Sequence, residues 1–268
     1  MIDMLAVIYG SRRTRLELEI AAEPVEALLP RAERAIVERR PFGLALRQAR
    51  PPALITEVKR ASPSAGLIAT DFDPAVIARS YQRAGADAIS VLTEEDHFRG
   101  QLRYLELVRA ATDLPLLRKD FLTTPYEVTQ SAAYGADAIL AIVAGLTDDQ
   151  LAAFLAEARR WQLEVLVEVH SELELQRALA VGSTLLGINN RDLRTLRTDP
   201  GVTESLFPLV PPSVQVVSES GFETPAQVAS LFRSGVPAFL VGEALMRSPD
   251  RAAWVGAVKA APPGGAEP

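Results

Sequence analysis

The sequence predicts a (β/α)8 barrel with an N-terminal helical extension, and three observations carry that prediction. Eight short runs rich in Val, Ile and Leu recur along the chain, stretches of helix length separate them, and a glycine follows four of those stretches just before the next apolar run. Eight strand-helix units in a chain of 268 residues suit a closed barrel, for which about 250 residues are typical. An open doubly wound sheet is the alternative fold. It rarely reaches eight parallel strands, and its usual GxGxxG loop is missing from the sequence, as are GK[ST], HExxH and GxSxG.

Residues 1–40 precede the first apolar run. They carry Met4, Val7 and Ile8 and then Arg12 to Glu19 in helical alternation, which suits either a helix capping one end of the barrel or a solvated arm. Pro51-Pro52 marks the entry to the first strand. Strands are expected at 54–58, 87–92, 115–119, 137–143, 164–169, 184–188, 214–218 and 238–241. Helices are expected at 73–84, 100–111, 125–134, 147–160, 171–180, 201–206 and 224–234. Asp73 before Pro74, Thr124 before Pro125 and Thr224 before Pro225 are helix-start signals, and Gly85, Gly135, Gly182 and Gly235 are left-handed stops. Gly-Ala-Asp-Ala-Ile occurs at 85–89 and again at 135–139, which suggests one local geometry used twice. The expected organisation is an extension at 1–40, a catalytic barrel at 41–260 and a disordered tail rich in Pro and Gly at 261–268.

Composition narrows the chemistry. The 28 basic and 34 acidic residues give a net charge of −6, and 48% of residues are hydrophobic, enough for a sizeable core. With no cysteine, disulfides, thiol nucleophiles and iron–sulfur clusters are excluded, and a reducing compartment, the cytoplasm, is expected. Two histidines, His97 and His170, do not make a histidine-rich metal centre. The acidic balance argues against a nucleic-acid partner, and no run approaches the ~18 apolar residues of a membrane span.

Lysine occurs only at 59, 119 and 259, while arginine fills the other basic positions. A lysine kept in so arginine-rich a chain marks a place where a group that can give up its proton is needed. Lys59 and Lys119 fit that reading by position; Lys259, near the tail, reads as a remnant of codon usage. Barrel chemistry sits at the carboxyl ends of the strands. There the sequence offers Glu57 and Lys59, Arg118-Lys119-Asp120, Glu168, Asn189-Asn190-Arg191, Ser218-Glu219-Ser220-Gly221 and Gly242-Glu243. Glu57 and Lys59 share a strand face, and a charged pair aimed at a barrel centre is costly to desolvate without a use. Two amines among carboxylates form either a structural ion-pair network or an acid–base site. Backbone N–H groups after strands seven and eight, with Ser62 and Ser64 in the first loop, suit a phosphate. Phe121, directly after Lys119-Asp120, reads as a pocket wall. His97 and His170 read as ordinary loop histidines, and Trp161 and Trp254 as packing residues.

The run Ile55-Thr56-Glu57-Val58-Lys59-Arg60-Ala61-Ser62-Pro63-Ser64-Ala65-Gly66 resembles the signature of the indole-3-glycerol phosphate synthase family. Ser90-Val91-Leu92-Thr93-Glu94, Leu117-Arg118-Lys119-Asp120-Phe121, Leu166-Val167-Glu168-Val169-His170, Gly187-Ile188-Asn189-Asn190-Arg191-Asp192-Leu193, Ser218-Glu219-Ser220-Gly221 and Val241-Gly242-Glu243-Ala244-Leu245-Met246 resemble that family's later motifs in order. The resemblance implies an enzyme that needs no metal or organic cofactor. It would convert 1-(2-carboxyphenylamino)-1-deoxyribulose 5-phosphate to indole-3-glycerol phosphate, carbon dioxide and water. By the same resemblance Lys119 is the general acid, Glu168 stabilises a cationic intermediate and takes a proton, and Lys59 with Glu57 serves the dehydration. Asn189 and Glu219 position hydroxyls and lysines near Arg191, while Phe121 and Leu140 face the aromatic ring. Ser62, Ser220, Gly221, Gly242 and Glu243 lie where the phosphate binds. Other sugar-phosphate barrels, such as phosphoribosylanthranilate isomerase or a Schiff-base aldolase, and a silent scaffold barrel are the competing readings.

Overall fold

In the computed structural model, which describes residues 3–262, eight parallel strands close on themselves. They are β1 (Ala53–Val58), β2 (Ala88–Leu92), β3 (Leu116–Lys119), β4 (Ala138–Ile142), β5 (Glu164–Val169), β6 (Leu185–Asn189), β7 (Gln215–Glu219) and β8 (Ala238–Val241). Each pairs with its neighbour in chain order, and β8 pairs with β1. All eight lie where the sequence predicts them, within a residue or so at each end, because strands covered on both faces read as continuous apolar runs. Residues 263–268 of the expected tail lie outside the described residues.

Alternation along each strand sorts the apolar side chains into two cores. Leu54, Ile89, Leu116, Val167 and Phe239 face the outer helices, while Ile55, Ala88, Leu117, Leu166, Val217 and Leu240 fill the interior. The same period of two carries Glu57, Lys119, Glu168, Asn189 and Glu219 to the inner face at the carboxyl ends, above that apolar plug.

Three helices precede β1: α1 (Met4–Ala22), α2 (Val25–Ile36) and α3 (Phe42–Gln48). Of the two readings of the N-terminal segment, capping is the one observed, and the capped end is the carboxyl end of the strands. The Met4 N–H donates to the Arg194 carbonyl at 3.1 Å, Arg15 pairs with Glu95 and Asp96, and Arg12 Nε meets Glu127 Oε1 at 2.8 Å. Helix α3 stoppers the opposite end with Phe42 and Leu46, and the Gly43 N–H donates to Glu164.

The helices α4 (Pro74–Ala84), α5 (Tyr104–Arg109), α6 (Pro125–Ala133), α7 (Asp148–Arg160), α8 (Glu172–Ala180), α9 (Gly201–Leu206) and α10 (Pro225–Arg233) follow β1 to β7 in turn. Asp73 accepts from two first-turn N–H groups, Thr124 and Thr224 open capping boxes, and the four stop glycines have φ between 77° and 99°. Short helices α11 (Glu243–Arg247) and α12 (Arg251–Lys259) follow β8. Neither these two, nor α3, nor a small hairpin of Ala61–Ser62 with Gly66–Leu67, is among the elements the sequence predicts. Most are too short to show a period.

The repeated Gly-Ala-Asp-Ala-Ile has one job at both places. Asp87 accepts the Leu54 N–H at 2.7 Å and Asp137 the Leu116 N–H at 2.8 Å, so each aspartate ties its own strand to the start of a neighbour. Arg109 covers Asp137 and Lys259 covers Asp87. Lys259 also donates to the Arg50 and Pro52 carbonyls, at 3.0 Å each. It is therefore a clasp between the last helix and the first strand, and the reading of Lys259 as a codon remnant is corrected.

Candidate active site

The inward charges converge. Lys119 Nζ lies 2.8 Å from Glu168 Oε2 and 3.0 Å from Glu219 Oε2, and Lys59 Nζ lies 2.9 Å from Glu57 Oε2. Glu168 and Glu219 are fully buried, and the Lys119 side chain keeps 14% of its surface, facing a cavity at the barrel mouth. That cavity is also lined by Glu57, Lys59, Ser62, Phe121, Leu140, Asn189, Arg191 and Ser220. It continues into a second hollow lined by Gly221, Gly242 and Glu243, which shares Glu57, Lys59, Arg191 and Ser220 with the first. Every residue given a role by the resemblance thus lies at one mouth, with Glu219 beneath Lys119 rather than on the cavity wall, whereas Arg118, Asn190 and Ser218 of the strand-end list turn outward to the helices.

Burial would by itself strip the proton from Lys119; the carboxylates of Glu168, Glu219 and Glu57 outweigh it and hold the ammonium more firmly protonated than a free lysine. Burial pushes Glu168 up, yet Lys119 and His170 bring it below the ordinary carboxylate range. Burial pushes Glu219 up as well, and repulsion from Glu168 and Glu57 leaves it at about 7 in spite of Lys119. At neutral pH the centre holds a charged amine, one ionised carboxylate and one carboxyl group near its midpoint.

Two walls differ in character. On one, Phe121 meets Tyr9 edge-on at 5.7 Å and Phe98 at 5.8 Å, and Leu140 and Ile8 complete an apolar lining. On the other, Ser220 and Gly221 have φ of 65° and 84° and Gly242 opens α11, and all three residues line the hollow. A side chain at Gly242 would collide with Glu57 and Lys59, which is why the chain passes there without one. Arg191 bridges the mouth, with its guanidinium 2.7 Å from Ser64 Oγ and 4.0 Å from Glu243. Asn189 Oδ1 accepts the Arg191 N–H at 3.0 Å.

Sequence reading missed Ile8, Phe98, Leu193 and Leu196, which reach the cavity from α1 and from loops. An apolar residue in a loop or an end helix carries no periodic signal, so only its spatial neighbours reveal it. It also undervalued His170, whose Nε2 stands 3.4 Å from Glu168 Oε1. Among the described residues no group of three or more His, Cys, Asp or Glu is arranged to hold a metal ion, and no helix is long and apolar enough to cross a membrane.

Known proteins share both sequence and shape with this chain. The family described as indole-3-glycerol phosphate synthase matches residues 5–258. The indole-3-glycerol phosphate synthase of Roseiflexus castenholzii is 47% identical over 263 residues, covering 95% of this chain and 97% of the relative. That of Azospirillum brasilense is 44% identical over 256 residues, covering 93% and 96%. In shape, the 3-hexulose-6-phosphate synthase of Salmonella typhimurium superposes with a TM-score of 0.64 at 12% identity, covering 77% of this chain and 96% of that one, a likeness of fold alone. With near-complete coverage at this identity, the chain belongs to the indole-3-glycerol phosphate synthase family.

Proposed function

We propose that this site closes an indole ring, turning 1-(2-carboxyphenylamino)-1-deoxyribulose 5-phosphate into indole-3-glycerol phosphate with loss of carbon dioxide and water. The observation that carries the reading is a lysine wedged between two buried carboxylates at the mouth of a cavity that has an apolar wall on one side and runs into a hollow lined by Ser220, Gly221 and Gly242 on the other. The aromatic ring packs against Phe121 and Leu140, and the phosphate sits among Ser62, Ser220, Gly221, Gly242 and Glu243. As the ring carbon attacks the sugar carbonyl, Lys119 donates its proton to the oxygen. Once that oxygen is alkoxide-like it outcompetes the amine, so the raised pKa of Lys119 does not block transfer. Glu168, already ionised, stabilises the cation that ring closure creates and that loss of carbon dioxide then neutralises, and it takes the proton released when the new ring becomes aromatic. Lys59 and Glu57 assist departure of the hydroxyl as water, while Asn189, Glu219 and Arg191 hold the sugar hydroxyls and the lysines.

These side chains supply every step, and no metal or organic cofactor is called for. Residues 41–260 act as the catalytic barrel and 1–40 as its extension, in the cytoplasm. An amine held protonated is a poor nucleophile, which disfavours a Schiff-base aldolase. Mixing the purified protein with the carboxyphenylamino sugar phosphate tests the reading: indole fluorescence should rise with release of carbon dioxide. Binding without turnover, or covalent trapping of Lys119 by borohydride, would replace it.

A further inference from the structure

Behind Glu168 lies a second acid–base group that the mechanism above leaves unused. His170 Nε2 is 3.4 Å from Glu168 Oε1, and neither atom has a hydrogen-bond partner. On the other side of the ring, Nδ1 lies 3.1 Å from Glu174 Oε2, and the same oxygen accepts the His170 backbone N–H at 2.8 Å. Glu168 is fully buried, but the imidazole keeps 13% of its surface and Glu174 lies in the first turn of α8. A continuous line therefore runs from the protein surface through Glu174, the ring and both oxygens of Glu168 to Lys119.

We propose that His170 relays protons between water and the Glu168–Lys119 pair, with Glu174 holding its ring in register. This rests on the ring-closure reading, whose proton count creates the need. The departing carbonyl oxygen collects two protons, C1 of the sugar returns one, and the carboxyl leaves as carbon dioxide. Each turnover of the ionised substrate draws one net proton from solvent. With substrate filling the cavity above Lys119, the route behind Glu168 stays open. Imidazolium gives its Nε2 proton to Glu168 Oε1, the carboxyl group turns and hands that same proton to the neutral Lys119 amine, and the ring regains a proton at Nδ1 from water or Glu174.

The groups facing the ring favour its charged form. Burial lowers the pKa of His170, but Glu174 on α8, Glu168 on its own strand and Glu219 on β7 together raise it above the ordinary histidine value. Asp192, in the loop after β6, feels the same imidazole.

The test compares the parent, His170→Ala and His170→Gln in steady-state indole formation, with thermal unfolding to establish that each is folded. The parent's activity checks the ring-closure reading separately. For a relay, kcat falls about tenfold or more in both variants while KM stays within about twofold, and added imidazole restores the Ala variant in a saturable way. Glu174→Gln should move the alkaline limb of the kcat profile to lower pH, because the ring loses an anionic partner and gives up its donor proton sooner. A kcat within about twofold of the parent in both His170 variants overturns the proposal, and so does a loss that imidazole leaves unrepaired.

Discussion

Lys119 carries the chemistry at the scale of a single residue, and its neighbours explain why arginine cannot replace it. Arginine could keep both ion pairs, yet it does not release its proton near neutral pH. Lys119→Arg is expected to stay folded, by unchanged far-ultraviolet dichroism, and to lose turnover by at least about a hundredfold. Glu219 makes a second prediction, about pH. Its pKa in the folded protein, about 7, lies above the ordinary carboxylate value of 4.5. The folded state therefore holds a proton that the unfolded chain has lost, and this contribution, complete below about pH 4.5, drains away as pH climbs to about 7. Glu219→Gln removes the titration. The difference in Tm between variant and parent should shift in the variant's favour between those pH values and level off above 7; a constant difference across the range would refute the assignment.

Helix α1 decides the scale of elements. It brings Ile8 to the cavity and stands Tyr9 against Phe121, and it is fastened by Arg12, which pairs with Glu127 at the start of α6 and with Glu19 of its own helix. Glu127 also accepts the Thr124 N–H as part of a capping box, so the seat of α1 and the start of α6 share one carboxylate. Tyr9 fits only because residue 145 is glycine, where any Cβ would overlap the tyrosine ring. Gly145→Ala should thus lift α1 from the mouth, raising KM several-fold and costing about 1–3 kcal/mol, measured by denaturant unfolding. Retention of parental KM and stability would mean that the helix has another footing. The capping role of this segment was half legible, since its helical pattern is plain in the sequence while its landing place depends on partners over 80 residues away, such as Asp96 for Arg15.

Closure of the barrel belongs to the whole molecule. The Lys259 clasp joins α12 to the carbonyls before β1 and to Asp87 before β2, so it ties the last helix to the first two strands where the cylinder seals. Removing it leaves a partly buried carboxylate and two carbonyls without their donor. Lys259→Met should cost about 2 kcal/mol, a fall in Tm of roughly 5 °C, with kcat unaltered because the clasp lies at the opposite end from the site. The sequence by itself determined the eight strands, the caps and glycine stops that punctuate them, and the polar residues at strand ends, because each is set by local periodicity, backbone geometry and the two-residue alternation of strands. Only the tertiary structure decided what those residues meet: Lys119 between two carboxylates from other strands, His170 behind Glu168, Lys259 on Asp87, and α1 over the mouth. Charge pairing and packing act through space between residues far apart in the chain, and no local pattern records them.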